Sequence, residues 1–262
     1  MSSRKEQRED ARRQREEREA EERKKQRRKR RLWQVGSVLV VAIAAVVIAV
    51  VISSSGGGSS NTKPSQQEAD QTTALFEGVA QSGVTLGNPD AQVTIYEFAD
   101  LQCPFCRDFT KNTFPQIVDK YVRPGKVKIV FRNLTFLGPD SVTAARAAAA
   151  AGAQNKLWNF VDLFYLNQGP ENSGYVTDAF ITDLTSKLSG IDSAKLTADM
   201  SAPLVEQQLG TAQQQAAEFK ISSTPSFLLQ IGKGKLQPLG NKGNQFDEMS
   251  KLLDAALAKV KS

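Results

Sequence analysis

Tyr96-Glu97-Phe98-Ala99-Asp100-Leu101-Gln102-Cys103-Pro104-Phe105-Cys106 holds both cysteines of this 262-residue chain, and its reading decides the fold. The pair follows an apolar, β-like run, Val93 to Ala99, and a C-x-x-C in that position is a candidate redox site. Two other readings compete with it. Half of a zinc site would need two further Cys or His ligands at suitable spacing, and the chain has no third cysteine and no histidine. A static structural disulfide would close a very small loop and stabilise little. Pro104 suits a first helical turn, where its missing N–H is no loss, so a helix is expected to start there.

The absence of histidine excludes Ser-His-Asp triads, Cys-His nucleophile pairs and His-ligated metals or haem. Catalysis is left to thiols, carboxylates, backbone dipoles and water. Charge is unevenly spread. Residues 1–31 hold 15 Lys or Arg against 8 Asp or Glu, a net +7 in a chain of +6, so residues 32–262 carry about −1. The main domain has no electrostatic support for binding nucleic acid.

Leu32 to Ile52 is a 21-residue apolar stretch without charge, long enough to cross a hydrocarbon core of about 30 Å as a single transmembrane helix. A cleavable signal has a shorter apolar region ending in small residues, whereas this one ends Val50-Val51-Ile52; a retained anchor is expected. Arg27 to Arg31 directly precedes it, which places the N-terminus in the cytoplasm and the large C-terminal part outside. The domain reading is then a charged cytoplasmic tail over 1–31, suited to anionic-lipid contact, an anchor over 32–52, a flexible Ser/Gly-rich and polar linker over 53–74, and a globular domain over 75–262.

Within that domain, Val84 to Leu86, Gln92 to Ala99, Lys126 to Phe131, Pro225 to Ile231 and Leu236 to Leu239 read as strands. The helix from Pro104 is expected to run to about Tyr121 with a break near Pro115. Helical spacing predominates from about 138 to 219, through Ala144 to Ala153, Leu157 to Asn167, Asp178 to Leu188 and Leu204 to Phe219. Phe246 to Val260 reads as a closing amphipathic helix. The class is α/β, with strands flanking a long helical insert.

That order, a strand, a C-P-x-C opening a helix, a strand, a helical insertion and a Thr-Pro before a late strand, resembles the DsbA-like branch of the thioredoxin superfamily. The resemblance spans roughly Val84 to Val260. It is carried by Tyr96 to Cys106 together with Ser223-Thr224-Pro225-Ser226-Phe227, which matches the segment bearing the superfamily's cis-proline. It implies a thioredoxin-like fold with an inserted helical domain. Cys103 would be the attacked sulfur at the helix N-cap, stabilised as thiolate by the orphan N–H groups and the macrodipole; Cys106 would be the buried resolving thiol. Glu97 matches the buried acid beneath the dithiol in thioredoxin-like enzymes and would exchange a proton with Cys106. Pro225 is expected to be cis, with Thr224 and Phe105 facing substrate. Strong oxidants of the family often carry His where this chain has Phe105, so a less extreme potential is expected.

With the anchor expected over 32–52, the reading is a membrane-tethered oxidoreductase; the resemblance implies that it donates disulfides to exported proteins, is reoxidised by a membrane partner of DsbB or VKOR type, and uses no cofactor or metal beyond its own redox-active disulfide. A reductase or isomerase, and a non-catalytic binding module with an inert disulfide, are the alternatives.

Overall fold

The structure is a computed structural model that describes residues 63–240 and 243–260. The tail expected over 1–31, the anchor over 32–52 and the linker as far as residue 62 lie outside the described residues. Among the described residues no helix is long and apolar enough to cross a membrane.

The first element corrects the linker expectation at its C-terminal end, because Gln66–Phe76 is helix α1. Its start is fixed by a capping box. Ser65 Oγ accepts from the Glu68 N–H while the Glu68 carboxylate accepts from the Ser65 N–H, so two orphan donors are satisfied at once. Ala69, Thr72 and Phe76 are buried, which gives this polar-looking segment a face to pack.

A six-stranded sheet follows in the order β1-β2-β4-β3-β5-β6, comprising β1 (Gln81–Ser82), β2 (Thr85–Leu86), β3 (Val93–Ala99), β4 (Val127–Asn133), β5 (Ser226–Ile231) and β6 (Gln237–Gly240). β3 and β4 pair parallel and the other pairs are antiparallel. Central β3 is buried at six of seven positions, as befits a strand with both faces covered. The face bearing Val93, Ile95 and Ala99 joins the main core. The opposite face, with Phe98 and Tyr96, packs on Ala212 and Ala216. Glu97 pairs with Phe131 on one side and Phe227 on the other, in the middle of the sheet.

After β3 come α2 (Pro104–Asn112), a one-turn α3 (Phe114–Ile117) and a π-helical turn, Val118–Val122. The break falls at Thr113, just ahead of Pro115, whose ring cannot continue a straight helix. Between β4 and β5 lies the helical insert: α4 (Pro139–Ala153), α5 (Leu157–Leu166), α6 (Asp178–Lys187), α7 (Ser193–Asp199) and α8 (Pro203–Glu218). α9 (Phe246–Val260) closes the domain. The Ala-rich α4 is buried nearly all round, and nine of ten residues in α5 are buried. Trp158 of α5 joins the insert to the sheet, stacked on Phe114 at 5.3 Å between ring centroids and edge-on to Phe131 at 5.6 Å.

Candidate active site

β3 ends at Ala99, a short loop follows, and Cys103 becomes the N-cap of α2 with extended backbone (φ −75°, ψ 120°). Pro104 occupies the first helical position. Both cysteines are free thiols and both are buried, Cys106 completely. Phe105 between them is 70 % exposed. The Thr224–Pro225 bond is cis, and the Cys103 thiol donates to the Thr224 carbonyl oxygen at 3.4 Å.

These surroundings separate the two sulfurs electrostatically. The hydrogen bond from the Cys106 thiol is the largest influence drawing Cys103 down to about 6; the Thr224 side chain and the N–H groups of Phe105 and Cys106 act the same way, and burial opposes them. Cys106 is pushed well above the usual thiol range by burial, and by its hydrogen bond to Cys103 and that neighbour's charge. At neutral pH the pair is therefore one thiolate, Cys103, beside one thiol, the pattern of a nucleophile or leaving group and a resolving partner.

Glu97 is 2 % exposed, its Oε2 has no hydrogen-bond partner, and burial pushes its carboxyl up to about 8. It lines a narrow crevice with Thr110, Trp158 and Asp162. Asp162, on α5, accepts from Thr72 of α1 at 2.5 Å, and burial raises it to about 6. Asp162 was not singled out from the sequence, although one carboxylate inside the apolar run Leu157–Leu166 is a legible sign of a built polar site.

Asp100, in the loop between β3 and α2, is a hub. Its carboxylate accepts from the N–H groups of Gln102 (2.9 Å), Phe136 (2.7 Å) and Leu137 (3.1 Å) and from Ser141 Oγ (2.7 Å). The insert then grips the same loop. Tyr165 donates its hydroxyl to the Asp100 carbonyl (3.0 Å), and Gln168 Nε2 donates to the carbonyls of Leu101 (2.7 Å) and Cys103 (3.2 Å). Gln102 donates to the Tyr175 hydroxyl and accepts from the Asn172 N–H. Tyr165, Gln168 and Tyr175 carry no signal in the sequence, because their partners lie more than sixty residues away.

A polarised dithiol at a helix N-terminus, facing a Thr–cis-Pro loop, defines a site for thiol–disulfide exchange. A model of the thioredoxin family matches residues 80–255. A protein of Bacillus cereus described as "Probable disulfide bond formation protein D" is 30 % identical over 179 residues, 67 % of this chain and 79 % of that protein. Among solved structures, oxidised BdbD from Bacillus subtilis superposes with a TM-score of 0.59 at 25 % identity, covering 70 % of this chain and 95 % of that one. A thioredoxin-like oxidoreductase from Silicibacter pomeroyi gives 0.53 at 29 % identity, over 72 % and 98 %. The chain belongs to the thioredoxin family, in its DsbA-like branch, and is a protein thiol–disulfide oxidoreductase.

Proposed function

We propose that the protein is tethered to the membrane by residues 32–52, faces the outside of the cytoplasm, and oxidises thiols of exported proteins through Cys103-Pro104-Phe105-Cys106. The observation that carries this reading is the downward displacement of Cys103 to about 6. A stabilised thiolate favours the reduced enzyme, which makes its disulfide the more oxidising form. The name of the Bacillus relative, a disulfide bond formation protein, supports the same direction.

In the cycle, a client thiolate attacks Cys103 Sγ of the disulfide form, and the Sγ–Sγ bond breaks. Cys106 leaves as a thiolate and takes the proton that Glu97 holds at neutral pH. A second client thiolate then attacks the client sulfur of the mixed disulfide, releasing Cys103 as a stabilised thiolate. The client loses two electrons and the Cys103/Cys106 pair gains them. A quinone-linked membrane reoxidase of DsbB or VKOR type would remove them again. Phe105, Thr224 and Pro225 would form the client-facing wall, with the basic tail against anionic lipid inside.

The equilibrium reduction potential against a glutathione buffer tests the direction. We expect a value between that of thioredoxin, about −270 mV, and that of the strong oxidant near −120 mV. A value at or below thioredoxin's would overturn disulfide donation and leave a reductase.

A further inference from the structure

After the Cys106 thiol, the donors that stabilise the Cys103 sulfur as a thiolate are the Thr224 side chain and the N–H groups of Cys106 and Phe105. The thiol and both N–H groups belong to the first turn of α2, so they serve the sulfur only while Cys103 is held at the head of that helix. An ordinary N-cap holds itself there, with a side-chain oxygen bonded to an N–H of the first turn. Cys103 makes no such cap bond, so its placement has to come from the chain ahead of it. That chain is a single turn, closed where the Cys103 N–H donates to the Asp100 carbonyl at 2.9 Å.

The same carbonyl has a second donor. The Tyr165 hydroxyl lies 3.0 Å from it, on a fully buried side chain of α5. The four contacts of the Asp100 carboxylate do not replace that bond, since they hold the far end of a side chain about which the main chain can still turn. On α5 the fully buried rings of Phe160 and Phe164 fill space without a hydroxyl; Tyr165 carries one, and burying it costs free energy unless it is bonded. Its acceptor is the turn. Burial first, and then the charges of Cys106, Glu97, Asp100 and Cys103, push this hydroxyl well above the usual tyrosine range. Tyr165 therefore keeps its proton, and remains a donor, whichever of those groups is ionised.

We propose that Tyr165 is a positioning residue for the redox pair: by holding the Asp100 carbonyl it fixes the turn that sets Cys103 at the head of α2, and so keeps the donors of that first turn aimed at the Cys103 sulfur. Without the hydroxyl the turn has one closing bond instead of two, the donors drift from the sulfur, and the thiolate is less stabilised. The disulfide form, whose sulfur carries no charge, loses less than the reduced form and becomes less oxidising. This rests on the site being one of thiol–disulfide exchange and is independent of the direction in which clients are driven.

The test measures the exchange constant of full-length protein in detergent micelles with glutathione, in which two glutathione thiols become one glutathione disulfide as the Cys103–Cys106 disulfide is reduced to the dithiol. Tyr165→Phe keeps the ring, and the Asp100 carbonyl keeps its bond from Cys103, so the variant retains the fold. It should lower the constant about fivefold, the net worth of one neutral hydrogen bond, and move the Cys103 inflection in the rate–pH curve of alkylation upward from about 6. Phe164→Leu, which removes the neighbouring buried ring, is the comparison: it should lower Tm and leave the constant and the inflection at their wild-type values. A constant for Tyr165→Phe within twofold of wild type, or an equal fall in Phe164→Leu, overturns the proposal. The readout is a ratio to wild type, so a wild-type potential too low for disulfide donation would leave it standing.

Discussion

Cys103 owes its acidity to small donors rather than to a full positive charge: a neighbouring thiol, a threonine and two N–H groups. Each can be removed singly. Thr224→Val should raise the Cys103 pKa above about 6 and slow its alkylation by iodoacetamide at pH 6, read as a shifted inflection in the rate–pH curve. Phe105→His would place a titratable cation beside the Cys103 sulfur; it should lower the Cys103 pKa further and make the disulfide more oxidising. Glu97 behaves in the opposite sense. Its proton is held up to about pH 8, so the donor proposed for departing Cys106 would be present at neutral pH and lost as pH rises through that value. In Glu97→Gln the inflection near pH 8 in the rate of mixed-disulfide formation should disappear, and an unchanged inflection would assign it to another group.

Among the elements, β3 and α2 were readable because their signals are local. An apolar run ends, a proline sits where a first helical turn accepts it, and two cysteines flank it. The end of β3, at Ala99, agrees with that reading to the residue. Helix α1 was not readable from composition, since Gln, Glu, Asp and Thr dominate it and only the spacing of Ser65 and Glu68 signals a start. The grip of the insert on the active-site loop was invisible for a different reason: Tyr165 and Gln168 acquire meaning only when α5 is folded against Asp100 to Cys103. That grip makes the insert part of the site. Gln168→Ala leaves the buried carbonyl of Leu101 without its donor and should cost about 1–2 kcal/mol. It should appear as faster amide hydrogen exchange around Gln102 to Cys106, whereas a surface role for Gln168 would leave exchange unchanged.

For the molecule as a whole, two of the buried carboxyls make stability depend on pH in an unusual direction. Glu97 and Asp162 hold protons up to about 8 and about 6, against ordinary values of 4.5 and 3.8. Between those limits the folded protein keeps protons that the unfolded chain releases, so stability falls as pH rises from about 4 towards 8 and levels off beyond. Each tenfold gain in proton affinity is worth about 1.4 kcal/mol, which puts the Glu97 contribution at roughly 4–5 kcal/mol across the window. Thermal melting of the reduced protein should show Tm declining from pH 5 to pH 8, with a shallower decline in Glu97→Gln. A flat or rising Tm would remove burial as the cause.

Helix α1 is the first element of the described chain, and it is fastened near its far end, where Arg123 reaches the carbonyls of Leu75 and Glu77 and Thr72 holds Asp162. Any pull arriving along the chain from residue 63 meets that helix before anything else. The load would be carried by the bond to Asp162 and by the Arg123 clasp, and would peel α1 away from its capped start. The dithiol takes no part in those fastenings.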